Sequence, residues 1–278
     1  MAKKSSSSKT SASAKTTTVT SVKTKKGGFL SDTPLAGMGI AEFVGTFLLT
    51  ASVFAVQGQP LFVAFALIGI VLIFGGISGA HLNPAITVGA LATKRIKGKR
   101  ALVYIVAQVL GALAAFALFS GFLSATAPAT TETSESVYSN SQQLFHVVDI
   151  TAEEAGIQGK EWVLFAAEII GVFALSLGVS VALKERKEKV AAAAGVGLAL
   201  LIGLLLASSI TSVLLTESNT TLTFLNPAIA LSGYFAGGLN MFNLWPLMIF
   251  VVAPLVGGVL GFGLSDLLEK SNKKSVEA

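Results

Sequence analysis

Cysteine is absent from the 278-residue chain, so there is no disulfide framework, no thiolate metal site and no cysteine nucleophile. Histidine occurs only at His81 and His146, with no partner at ligand spacing, so neither a metal nor a cofactor is expected. No grouping of nucleophile, base and orienting group stands out, which argues against an enzyme. Charge is scarce as well: 13% of residues are charged, 53% are hydrophobic and mean hydropathy is +0.74. A soluble domain carries roughly twice that share of charge, about 25%. The chain therefore reads as a membrane protein with the lipid bilayer as its first partner.

The apolar residues fall in blocks at 36–56, 61–79, 101–123, 162–183, 190–215 and 244–268. Each is close to the roughly 20 residues that span about 30 Å of hydrocarbon as helix, so six spans are expected. The formal charge of +5 raises nucleic acid as a partner, but the placement of the cations answers otherwise. Nineteen of the twenty Lys and Arg lie in four patches, Lys3–Lys26, Lys94–Arg100, Lys184–Lys189 and Lys270–Lys274, with Lys160 apart. Placed on one side, these patches make that side cytoplasmic, with both termini inside and no nucleic-acid partner.

The expected organisation is a disordered basic cytoplasmic tail (1–30), a first repeat (31–123), an extracellular connecting loop (124–160) that holds His146, a second repeat (161–268) and a cytoplasmic tail (269–278). A cleaved signal peptide is disfavoured, because the first apolar block is as long as a span and contains Glu42. The Asn219-Thr220-Thr221 sequon is read as chance. Trp162 and Trp245 open spans and are expected at the membrane interface.

The halves repeat. Ala41-Glu42-Phe43-Val44-Gly45-Thr46-Phe47 answers Ala167-Glu168-Ile169-Ile170-Gly171-Val172-Phe173, and Leu82-Asn83-Pro84-Ala85 answers Leu225-Asn226-Pro227-Ala228. Three spans per half is an odd number, so the second copy runs inverted relative to the first. Asn is a preferred helix N-cap and Pro a preferred first helical residue, so each motif opens a helix. About ten residues of helix rise roughly 15 Å, half the hydrocarbon thickness. Two such segments entering from opposite faces meet near the middle. Non-helical backbone at that depth belongs beside a watery cavity or inside protein, which points to a pore. Glu42 and Glu168 are expected to accept N–H bonds from the loops leading into the half-helices. Each Asn, with its oxygen capping a helix, is expected to point its NH₂ donors at the pore. The half-helix dipoles add positive potential that opposes cations and proton transfer.

With these motifs, and with Ser78-Gly79-Ala80-His81 and Ala107-Gln108, residues 36–268 resemble the aquaporin (major intrinsic protein) family. The resemblance implies an all-α transmembrane fold with six spans and two re-entrant half-helices. It implies a homotetramer in which each subunit has its own pore, and a passive channel for water and small neutral solutes. His81 and Gln108 are read as supports of the first half-helix. The family's narrow filter lies on the extracellular side of the Asn pair, where most members carry Arg directly after the second Asn-Pro-Ala. Here that residue is Ile229, and Ala230 stands where glycerol-conducting relatives often have Asp. Thr223 falls at a third filter position by counting, with Val63 and Leu204 as the remaining candidates. Such an apolar filter implies a broadened range that takes in glycerol, urea, ammonia or hydrogen peroxide, and the cell membrane is the expected location. Two readings compete with a channel: a secondary transporter, which also uses inverted repeats and broken helices, and a non-conducting scaffold of the same family.

Overall fold

A computed structural model describes residues 34–126, 149–152, 156–184, 188–214, 223–236 and 239–277. The tail 1–30, most of the connecting loop with His146, and the Asn219 sequon lie outside the described residues. In chain order the helices are α1 (Leu35–Ala55), α2 (Pro60–Phe74), α3 (Pro84–Ala92), α4 (Gly98–Thr126), α5 (Glu161–Ala182), α6 (Lys189–Thr211), α7 (Pro227–Ala236), α8 (Leu244–Leu247) and α9 (Ala253–Glu277). A 3₁₀ turn, Ser212–Leu214, extends α6, and a π-helical turn, Met248–Val252, joins α8 to α9 as one rod.

Among the described residues, five helical stretches are long and apolar enough to cross a membrane: α1, Gly98–Phe122 of α4, α5, Lys189–Leu214 and Leu244–Asn272. The second expected span differs. Its helix stops at Phe74 after 15 residues, about 22 Å of rise against about 30 Å of hydrocarbon. Gly75, Gly76 and Gly79 supply no helix propensity there. The chain instead turns through Gly75–Ser78, with Ser78 N bonded to Phe74 O at 3.1 Å, and feeds the loop to Asn83. At the other end α9 runs on to Glu277, through what the sequence reads as a tail. Its Asp266 and Glu269 are fixed by Arg95 (2.6 Å) and Lys184 (2.7 Å).

The two halves assemble by the same contacts. In the first, α1 packs on α4, where Gly111 lies against the Phe43 carbonyl. In the second, α5 packs on α9, where a Cβ on Gly257 would stand 2.6 Å from the Ile169 carbonyl oxygen. Small residues thus let helix backbones touch where lipid offers no hydrophobic drive for association. The half-helices join the opposite halves: α3 packs on α9, where a Cβ on Gly89 would come 2.6 Å from Gly258 O, and α7 packs on α4.

Polarity is arranged inside out relative to a soluble protein. Leu102, Ile73 and Phe65 are more than 60% exposed, whereas Glu42, Gln108, Glu168 and Thr87 are fully buried. Trp162 and Trp245 are also exposed, at the starts of α5 and of the α8–α9 rod.

Candidate functional site

The Asn-Pro-Ala segments open α3 and α7 as capping rules require. Asn83 is extended (φ −157°, ψ 122°) and its Oδ1 accepts from Ala85 N at 2.8 Å. Asn226 Oδ1 accepts from Ala228 N at 3.1 Å. Pro84 and Pro227 take the first helical positions, where a missing N–H costs nothing. Ala85 and Ala228 are fully buried beneath them.

The two caps are cross-linked. Asn83 Nδ2 donates to Leu225 O at 2.7 Å, and Asn226 Nδ2 donates to Leu82 O at 2.9 Å. This corrects the sequence reading, in which both hydrogens of each amide face the pore. One of the two is committed across the axis, so each Asn has a single N–H left for a solute. The accepting Leu82 and Leu225 lie in the left-handed region (φ 52° and 53°), a conformation that costs a non-glycine residue about 1–2 kcal/mol.

That strain is held in place by the Glu-x-x-Gly repeat. Glu42 Oε1 and Oε2 accept from His81 N (2.9 Å) and Leu82 N (2.7 Å), and Glu168 accepts from Phe224 N (2.6 Å) and Leu225 N (3.0 Å). Three residues further along each helix, Gly45 and Gly171 make room for the loop leucines: a Cβ on either would stand 2.5 Å from Leu82 Cδ2 or Leu225 Cδ2. The carboxylate thus fixes the loop backbone and the glycine seats its side chain.

Beyond this shared frame the halves diverge. Around α3 the support is polar: Gln108 Nε2 donates to Glu42 Oε2 (2.8 Å) and Thr87 Oγ1 (3.0 Å), and His81 Nδ1 lies 3.2 Å from Thr87 Oγ1. Tyr104 stands edge-on to His81 at 5.2 Å and donates its hydroxyl to Ser78 O at 2.5 Å. Around α7 the corresponding places hold carbon. Phe224 replaces His81, Phe250 replaces Tyr104, and their rings meet edge-on at 5.1 Å with Tyr234 beside them. Tyr104, Thr87 and Phe250 were not singled out from the sequence. Tyr104 and Phe250 lie more than twenty residues past Asn83 and Asn226, so their register with the repeat was the signal for them, whereas Thr87 sits four residues past Asn83 on α3 itself.

A narrow cavity of about 50 Å³ lies between the halves. Asn83 and Asn226 line it together with Val63, Leu204, Thr223 and Ile229, so all four expected filter residues border the same space. His81, Ile86, Val53 and Val179 line it too. Among the described residues the lining contains no Lys, Arg, Asp or Glu. Glu42 and Glu168 stand behind it with their oxygens turned to backbone N–H groups. A solute in this space meets mostly apolar walls, with Thr223, His81 and the two capping Asn residues as its polar lining. Among the described residues no group of three or more His, Cys, Asp or Glu is placed to hold a metal ion.

Comparison with known proteins matches residues 30–264 to the family described as Major intrinsic protein. The chain is 29% identical over 231 residues to the glycerol uptake facilitator protein-like 6 of Lactiplantibacillus plantarum, covering 80% of this chain and 93% of that one. It is 34% identical over 201 residues to aquaporin AqpM of Methanothermobacter thermautotrophicus, covering 70% of each. In fold it is similar to the solved aquaglyceroporin of Plasmodium falciparum, with a TM-score of 0.58, 23% identity, and coverage of 84% of this chain and 96% of that one.

Proposed function

The chain belongs to the major intrinsic protein family, and from that membership we propose a passive channel for water and small uncharged solutes with a wider range than a strict water channel. The observation that carries the wider range is Ile229. It lies three residues past Asn226 on α7 and lines the same cavity, at the position where the family usually presents Arg. An isoleucine donates no hydrogen bond and carries no charge, so the constriction loses its cationic donor and gains an apolar wall. With Val63 and Leu204 lining the same cavity and Thr223 as the one hydroxyl among the four, the filter selects by size more than by hydrogen bonding. Water, urea, ammonia, hydrogen peroxide and glycerol fall within such a range. The resemblance to a glycerol uptake facilitator-like protein supports the last of these.

With no Arg at the filter, cation exclusion rests on the centre. Two half-helix N-termini converge there, each worth about half a positive charge, and each Asn presents a donor and no free acceptor. A hydrated cation finds no carboxylate along the lining to replace its water. The subunit works without a catalytic step or cofactor, with both termini in the cytoplasm, as a homotetramer in the cell membrane.

Stopped-flow shrinkage of proteoliposomes holding the full chain, challenged with sucrose, glycerol and urea, tests this reading. Fast water flux with measurable glycerol or urea entry is expected. An Asn226→Asp variant, which sets a carboxylate against Leu82 O in place of an N–H, should lose most of the flux. Water flux with both solutes excluded would sink the broad filter.

A further inference from the structure

Where α1 meets α4, small side chains leave an open apolar groove on the outer surface. Ala36, Gly39 and Ala107 form its floor, and Ile40, Leu102 and Val106 are among its walls. The wall residues are strongly exposed, at 64%, 65% and 50%. The register with the second half differs at two of the groove's positions. With Glu42 aligned to Glu168, Ala36 and Gly39 correspond to Trp162 and Phe165, so bulky side chains stand in the second half where the first has almost none.

The groove has a charged end. Helices α1 and α4 run parallel, with Gly39 against Val103 and Gly111 against Phe43, so both begin on one membrane face, where the exposed Lys97 and Lys99 lie at the start of α4. Lys99 precedes Leu102 and Val106 by three and seven residues, on one stripe of α4. Within 34–43 and 94–110 the only acid is Glu42, which is buried against the His81 loop. From Leu102 to Leu110 the walls rise about 12 Å, close to the roughly 15 Å depth of one leaflet. We propose that this groove is a site for one anionic phospholipid, its acyl chain lying between α1 and α4 and its phosphate held by Lys97 and Lys99. An acyl chain matches the apolar walls and the leaflet depth, and an anionic headgroup matches a basic segment whose described acidic neighbour, Asp266, is already paired with Arg95.

The test is native mass spectrometry of the intact protein with equal phosphatidylglycerol and phosphatidylcholine, read as lipid bound per subunit. Each basic residue near the surface contributes about 1 kcal/mol toward anionic lipid, or about fivefold in affinity. Lys97→Glu/Lys99→Glu should therefore lower phosphatidylglycerol retention roughly 25-fold or more. Ala36→Trp, which copies Trp162 at an exposed position, should lower retention with every charge intact. Lys189→Glu/Lys270→Glu, equally charged and on the same face but away from the groove, should retain the lipid. Three results would each overturn the proposal: groove variants that bind as wild type, an equal loss in the distant pair, which means diffuse attraction, or an oligomer altered by Ala36→Trp with lipid unchanged, which gives the groove to a neighbouring subunit.

Discussion

Truncating Glu168 to Ala strands two buried donors, Phe224 N–H and Leu225 N–H, whose acceptors at 2.6 and 3.0 Å are its carboxylate oxygens. An unsatisfied buried donor costs about 1–3 kcal/mol, so the variant should lose about 2–6 kcal/mol of a stability typically 5–15 kcal/mol. At about 2–4 °C per kcal/mol for a chain of this size, the melting midpoint should fall by about 4–24 °C. Glu168→Gln keeps one acceptor and turns an NH₂ toward the other donor, so it should cost about half as much, roughly 1–3 kcal/mol. Glu42→Ala should be at least as damaging as Glu168→Ala, because it strands His81 N–H and Leu82 N–H and removes one of the two acceptors of Gln108. The assay is thermal unfolding of the purified protein, with water flux measured on the same preparations. Because the carboxylate is one of the restraints on the left-handed Leu225, whose carbonyl receives Asn83, flux should fall along with stability. Midpoints of Glu168→Ala and Glu168→Gln indistinguishable from wild type would refute the claim that the carboxylates hold the loops.

Ile229→Arg should restore a cationic donor at the constriction and reduce urea and glycerol entry at least about tenfold relative to water, which corresponds to about 1.4 kcal/mol of discrimination; paired solute and water flux measurements check it. Gly257→Ala drives a methyl to 2.6 Å from Ile169 O, so it should cost about 1–3 kcal/mol through overpacking of α5 on α9, read as a lower melting midpoint. Lys94 is exposed at the end of α3 with φ 60°. Lys94→Gly should therefore stabilise by about 1 kcal/mol by relieving the left-handed strain, and a lower or unchanged midpoint would contradict that.

The half-helices were legible because their signals are local: Asn caps, Pro at the first turn, and spacing short enough to rule out a full span. The Glu-x-x-Gly repeat exposed the symmetry, but not what its glycines do, because Leu82 and Leu225 reach Gly45 and Gly171 only through the fold. The end of α2 was misplaced because Gly75 and Gly76 lie in an apolar run that hydropathy reads as continuous. The donor count at the pore failed for a different reason: the carbonyl that takes one hydrogen of Asn83 belongs to Leu225, and no rule of local sequence pairs them. The groove between α1 and α4 was equally hidden, since the small residues that carve it are spread over two helices.

The crossed amide bonds also bear on how the molecule comes into being. They join positions 142 and 144 residues apart, so neither half can complete its own motif. During synthesis at about 5–20 residues per second, the first half waits on the order of 7–30 s before Leu225 exists to receive Asn83. Through that interval Asn83 has no Leu225 carbonyl to receive its amide hydrogen. Pore formation is therefore the last act of assembly, and a chain that stalls before its second half leaves behind inserted helices without a conduit.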